Sequence, residues 1–141
     1  MGNDKLIYAC DRGQNKINVY TRAGAFVGNI NVIPGQLGTG AEGTGTAWDI
    51  DFSKDPAQTF AFISDGQNEV LWTYDRSGGL NGTNATPLRG YGRPGHDPGQ
   101  FTFLHMMAID SKGNIYVGET VGGNRIQKII TKTLPVGPGG K

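Results

Sequence analysis

Three acidic residues at equal intervals constrain the fold of this chain more than any other feature. Asp11, Asp65 and Glu119 lie 54 residues apart, twice. Each acid ends an apolar run and is followed by a short glycine-containing turn, an asparagine and an alternating run; the asparagines are Asn15, Asn68 and Asn124. A period of about 40 to 55 residues with several strands in each unit is typical of propeller blades and not of solenoid coils.

The abundance of glycine indicates that the chain is all-β. Glycine accounts for 24 of the 141 residues, without a collagen-like period, and separates short runs that are rich in strand-forming residues. No segment shows sustained helical periodicity. Asp and Asn at such corners hydrogen-bond to their own backbone, so the three acids and the three asparagines are predicted to hold turns and not to catalyse.

Alternating apolar residues place ten strands in three repeat units, which cover about residues 5–31, 45–91 and 99–131. The predicted strands are Leu6–Cys10, Ile17–Thr21, Phe26–Asn31, Ala47–Phe52, Phe60–Ser64, Val70–Tyr74, Pro87–Tyr91, Phe103–Asp110, Ile115–Gly118 and Arg125–Thr131. Residues 132–141 are predicted to form a flexible tail, because Pro135, Gly137 and Pro138 fit a strand poorly.

Charge and composition exclude several classes of partner. The net charge is +1 and no basic stripe is present, so nucleic acid is not expected as a partner. No apolar run reaches the length of a membrane span, and the start of the chain lacks the apolar core of a signal peptide. Cys10 is the single cysteine and cannot form an internal disulfide. The sequence predicts a soluble protein and leaves its compartment open; a bacterial periplasmic or secreted protein whose signal has been removed is one alternative.

The third unit carries a motif that resembles the NHL repeat. The pattern G-x-G-x-P-G-x-x-P-G-Q-F spans Gly90–Phe101, D-S-K-G-N-I-Y-V-G-E spans Asp110–Glu119, and N-R-I-Q-K-I spans Asn124–Ile129. The segment Cys10–Tyr20 matches the same repeat, and the middle unit matches it less closely. The resemblance implies a β-propeller of four-stranded blades, commonly six, around a channel. The subgroup most resembled is the bacterial propellers related to peptidyl-α-hydroxyglycine α-amidating lyase.

The chain has the length of about three such blades, or half of a six-bladed ring. An open half-ring would expose two apolar blade faces and unpaired strand edges, which favour association. We therefore expect a homodimer in which two copies close a six-bladed ring about a two-fold axis. The innermost strand that would precede Leu6–Cys10 is missing, so the alternative is a fragment with a structural role only.

The resemblance also places Trp48 and His105 at equivalent positions, where innermost strands line the channel. In the resembled lyase, histidines at such positions converge on a catalytic zinc. Catalytic zinc sites use three protein ligands, and one chain offers only His105, because His96 in the preceding loop does not match a ligand position. A metal at His105 would therefore have to be shared between the two copies of a dimer.

Arg12, which follows the turn acid Asp11, and Asp49, which follows Trp48, complete the predicted channel-lining set. No catalytic set is visible, so a module that binds a protein, a peptide or a small ligand is preferred over an enzyme. A lyase-like metalloenzyme with a site shared between chains is the alternative. No cofactor is expected, with zinc or calcium as the exception that a metal measurement would reveal.

Overall fold

The chain folds into three antiparallel β-sheets that follow one another in sequence. The computed structural model describes residues 1–32, 45–77 and 87–131. The first sheet contains β1 (Ile7–Asp11), β2 (Lys16–Tyr20) and β3 (Phe26–Asn31); the second contains β4 (Asp49–Phe52), β5 (Phe60–Asp65), β6 (Val70–Asp75) and β7 (Arg89–Tyr91); the third contains β8 (Leu104–Ile109), β9 (Ile115–Glu119) and β10 (Ile126–Ile129). In each sheet, strands that are consecutive in sequence are neighbours.

This architecture confirms the predicted all-β, blade-like fold class. All ten predicted strands are present, three in the first unit, four in the second and three in the third. Their ends move by one or two residues: β4 begins at Asp49, and β7 is only three residues long. Within the described ranges, the single helical element is a short 3-10 turn at Arg12–Gln14, and no helix is long and apolar enough to cross a membrane. The predicted tail, residues 132–141, lies outside the described residues.

Strand alternation gives each sheet two faces, and in the first and second sheets one of these faces packs against the next sheet in the chain. Ile17 and Val19 of β2 are buried against the second sheet, while Asn18 and Tyr20 point to the other side. We call the face that the first or second sheet turns toward the next sheet its front face, and the opposite face its back face. In the third sheet, the front face is the equivalent one, which points away from the second sheet.

Two apolar cores lie between the three sheets. The first core joins the first and second sheets and includes Ile17, Ile30, Phe52, Ile63 and Tyr74. The second core joins the second and third sheets and includes Phe62, Leu71, Leu104, Ile115 and Val117. The second sheet is therefore covered on both faces, which explains why β5 reads as a continuous apolar run.

Strand register identifies equivalent positions in the three sheets. Asp11 pairs with Lys16 and Asp65 pairs with Val70, and the amide of Glu119 donates to the carbonyl of Arg125. Ile17, Leu71 and Ile126 follow Lys16, Val70 and Arg125, so these three residues occupy equivalent positions. By the same register β1 corresponds to β5 and β8 corresponds to β4. In the described part of the chain, the first sheet has no equivalent of β4 and the third has no equivalent of β7.

Candidate binding site at the innermost strands

Three side chains from the three units meet beside β4 and β8, the strands predicted to be innermost. Arg12 follows β1, Trp48 precedes β4, and His105 lies in β8. The guanidinium carbon of Arg12 lies 4.7 Å from the centre of the Trp48 ring, and the His105 ring meets the same indole edge-on at 5.0 Å. Three of the four residues predicted to line the channel therefore form one stack, with the indole in the middle.

Backbone geometry fixes the position of the Trp48 indole. Its Nε1 donates to the carbonyl of Gly45 at 2.6 Å. Gly66, in the turn after β5, lies so close to the indole that a Cβ atom there would stand only 2.5 Å from the ring. A side chain at position 66 would therefore displace the indole from the stack.

Asp49, the fourth predicted residue, ties the two innermost strands together. Its Oδ1 accepts from the amide of Ile50 and its Oδ2 accepts from the amide of Met107, both at 2.8 Å. Asp51, which the sequence analysis missed, repeats this bridge one rung further along: it accepts from Phe52 at 2.8 Å and from Ile109 at 3.0 Å. The two carboxylates thus satisfy amides on the free edges of both β4 and β8.

Burial of this cluster shifts the acidity of two groups. Burial raises the pKa of Asp49 and the nearby Asp51 adds to the rise, although amide donors and the neighbouring His105 oppose it. Burial, reinforced by Asp49, raises the pKa of the Cys10 thiol to about 12. Cys10 therefore stays a neutral thiol near neutral pH, and Arg12 supplies the positive charge at the stack.

The turn acids of the first two sheets accept hydrogen bonds within their own hairpins. Asp11 accepts from the amide of Gln14 at 3.2 Å and from Nδ2 of Asn18 at 3.3 Å. Asp65 accepts from the amide and the side-chain Nδ2 of Asn68 and from Trp72 Nε1, at 2.8 to 2.9 Å. These two carboxylates stabilise their own hairpins and accept no hydrogen bond from another described sheet.

Glu119, the third turn acid, anchors the loop that leads into the third sheet. Its carboxylate accepts from the amide of Thr102, from Arg125 Nε and from Gln127 Nε2, at 2.7 to 2.8 Å. Arg125 and Gln127 also donate to the carbonyl of Gln100, which fixes the segment that leads into β8. Burial alone would raise the pKa of Glu119, but the hydrogen bonds from Arg125 and Gln127 hold it below its usual value.

A left-handed residue ends the central hairpin turn of each sheet. These residues are Asn15, Glu69 and Asn124, with φ between 46° and 57°. In the second sheet Glu69 takes this position, one residue after the Asn68 that the sequence comparison aligned. Asn15 accepts from the amide of Thr46 at 2.8 Å.

Glu69 makes the corresponding contact one sheet further along, where it accepts from the amides of Phe103 and Leu104 at 2.7 and 2.9 Å. The left-handed residue of one sheet thus fixes the residues that lead into the innermost strand of the next sheet. Asn124 donates its side-chain amide to Val121 in its own turn.

Metal ligands do not cluster around His105 within the described ranges. No group of three or more His, Cys, Asp or Glu side chains is close enough there to hold a metal ion. His96 lies in the loop before β8, with Nε2 3.5 Å from the hydroxyl of Thr102. A metal at His105 would thus need ligands from outside these residues.

A comparison with protein-family models and with curated proteins finds no match to this chain. The site geometry and the sequence motifs are therefore the basis for a functional proposal.

Proposed function

We propose that the chain is an NHL-type half-propeller whose innermost strands form the mouth of a channel that binds a small ligand or a peptide end. The observation that supports this proposal is the stack of Arg12, Trp48 and His105, one residue from each repeat unit. A site assembled from three separate units is held by the packing of whole sheets. Such a site is preorganised, which favours ligand binding.

The chemistry of the stack favours a ligand with an anionic group next to an apolar one. Within the described residues the Arg12 guanidinium makes a cation–π contact with Trp48 and no hydrogen bond or ion pair. Its N–H donors are therefore free to bind a carboxylate, and the indole offers an apolar surface beside them.

Acetyl-dialanine, which ends in a carboxylate, and its uncharged C-terminal amide form a matched pair of probes. Binding is followed through the indole N–H signal of Trp48 by NMR. We expect the acid to bind and the amide to bind at least about tenfold more weakly, because a hydrogen bond to a charged group is worth about 1.5–3 kcal/mol.

Arg12→Gln should abolish the preference for the acid, while Arg22→Gln, an exposed arginine in the first sheet, should leave it intact. Equal binding of the acid and the amide to the unaltered protein would disprove the anionic-ligand proposal.

The ring is completed, in this proposal, by a second copy of the chain. Ile126 is 76% exposed on the front face of the third sheet, whereas its equivalents Ile17 and Leu71 are 0% and 3% exposed in the two cores. On the back face of the first sheet, Ile7 and Phe26 are also exposed. Packing the front face of one copy on the back face of the other would bury both surfaces.

Light scattering on the purified protein tests the ring directly. A mass near twice 15.0 kDa supports the dimer, and Ile126→Glu should then shift the mass toward the monomer. Metal content measured on the same peak addresses the lyase-like alternative, which requires zinc shared between two copies. A stable monomer would disprove closure by a second copy without affecting the ligand test.

A further inference from the structure

The outer edge of β10 is open in the described part of the chain. The bond from the amide of Glu119 to the carbonyl of Arg125 shows that these two form a hydrogen-bonded pair. Because such pairs alternate along an antiparallel ladder, Gln127 and Ile129 also direct their amides toward β9. The amides of Ile126 and Lys128 therefore point away from the sheet.

The equivalent edge is occupied in the other two sheets. Leu71 and Thr73 of β6 pair with Tyr91 and Arg89 of β7.

In the first sheet, Ile17 and Val19 of β2 pair with Ile30 and Gly28 of β3. Among the described residues no strand pairs with the corresponding edge of β10. An open edge of this kind binds an extended segment by forming main-chain hydrogen bonds.

A groove of about 600 Å³ runs beside this edge, between the second and third sheets. Apolar side chains stand on both of its walls, with Phe62, Leu71 and Tyr91 on one side and Ile115 and Ile129 on the other. A strand added to β10 would turn every second side chain into this groove, because strand side chains alternate between two faces.

The charge in the groove is positive. Arg89 lines it and is exposed, and none of the lining residues is acidic. The ammonium of Lys128 lies on the opposite face of the third sheet, 5.3 Å from the centre of the Tyr116 ring. Arg89 forms no ion pair with a described residue. A segment that binds here would therefore gain from carrying a carboxylate among its apolar side chains.

We infer that the edge of β10 and the adjoining groove bind an extended segment of a partner protein by strand addition. The segment presents apolar and acidic side chains on the face that enters the groove. Residues 132–141 match this chemistry less well, because Pro135 and Pro138 lack an amide N–H and the only charged side chains are lysines, Lys132 and Lys141. This inference does not depend on ring closure or on the channel site.

Amide hydrogen exchange on the full chain, followed by NMR, tests the inference. The probe is the peptide acetyl-Thr-Val-Thr-Glu-Thr-Val-Thr-amide, in which valine and glutamate share one face. In the chain alone, Ile126 and Lys128 should exchange fast while Gln127 and Ile129 are protected by β9. With saturating peptide, the exchange of Ile126 and Lys128 should slow by at least about tenfold, as expected for new main-chain hydrogen bonds.

Two pairs of variants separate main-chain from charge recognition. Ile126→Pro removes an outward amide and should weaken peptide binding by about tenfold, whereas Ile126→Ala keeps that amide and should bind normally. Arg89→Glu should weaken binding by a similar factor, unlike Arg22→Glu, which reverses an exposed charge at a residue that does not line the groove.

Three outcomes would overturn the inference. Protection of Ile126 and Lys128 in the chain alone would mean that the edge is already filled, by residues of this chain or by a second copy. Failure of the peptide to bind would exclude this partner chemistry. If a peptide with lysine in place of glutamate bound as tightly as the original peptide, Arg89 would play no part in recognition and the acidic partner chemistry would be wrong.

Discussion

The carboxylate of Glu69 accepts a hydrogen bond from the backbone amide of Phe103 at 2.7 Å, although the two residues are 34 apart in sequence and belong to different repeat units. Asn15 and Thr46 repeat the relationship between the first and second sheets at 2.8 Å. In both cases the acceptor is a left-handed residue at the end of a hairpin turn. The same turn therefore shapes one sheet and fixes the start of the next.

Glu69→Ala should destabilise the fold by about 1–3 kcal/mol, because it leaves the amides of Phe103 and Leu104 without their acceptor. Leu104 is fully buried, so water cannot replace the lost carboxylate there without disturbing the core. The free energy of unfolding from urea titration measures the effect.

Lys5→Ala is the matched control for this change. Lys5 also has a left-handed backbone, with φ of 68°, and lysine, like glutamate, has no special preference for this conformation, so the conformational change on replacement by alanine is similar at both sites. The exposed Lys5 side chain forms no hydrogen bond or ion pair with a described residue, and the additional loss should be absent. If both variants lose the same stability, the contact between sheets contributes nothing beyond backbone strain.

Asp51→Ala should lower the free energy of unfolding by about 1–3 kcal/mol, because it removes the acceptor for two amides, one in β4 and one in β8. One of them belongs to Ile109, which is buried in the second core. Asp75→Ala serves as the control, since Asp75 is exposed and accepts from Ser77 in its own turn. A loss no greater than in the control, measured by urea unfolding, would show that the carboxylate bridge does not stabilise the packing of the sheets.

Local patterns in the sequence were sufficient to predict the strands and turns. Alternation, glycine corners and the spacing of Asp11, Asp65 and Glu119 depend on neighbours within a hairpin, so they are visible in the sequence. The sequence comparison aligned Asn68 with Asn15 and Asn124, whereas the left-handed residue of the second sheet is Glu69, one position later. Asn is a common left-handed residue and Glu is not, so the sequence drew attention to Asn68 and away from Glu69.

Contacts between the repeat units were harder to predict from sequence. The motif resemblance placed Trp48 and His105 near a common channel, the position of Arg12 after the turn acid Asp11 added it to the predicted set, and the structure brings these three side chains together. The bridging role of Asp51 has no sequence signal, because its carboxylate and the donor amide of Ile109 lie 58 residues apart and are brought together by sheet packing. A carboxylate side chain on a strand is ordinarily expected to be exposed to solvent.

Glu119 should make folding stability fall at acidic pH. Hydrogen bonds hold its pKa below the usual value near 4.5, so its stabilising contribution is complete above that pH and is lost as the pH falls through the lowered pKa. Glu119→Gln should therefore be less stable than the unaltered protein at pH 7, by about 1–3 kcal/mol. Urea titrations across the acid range should show this difference shrinking below pH 4.5; a constant difference would contradict the assignment.

Cys10 should react slowly with iodoacetamide, because only the thiolate is nucleophilic and burial raises its pKa to about 12. The alkylation rate of the folded protein should keep rising with pH beyond the usual thiol value near 9, without a plateau there. Asp49→Asn removes a negative charge that contributes to this rise, so it should speed alkylation at a given pH. Mass spectrometry measures the rates while circular dichroism monitors folding. A plateau near pH 9, or no effect of the substitution, would mean that Cys10 is not held in the buried cluster beside Asp49.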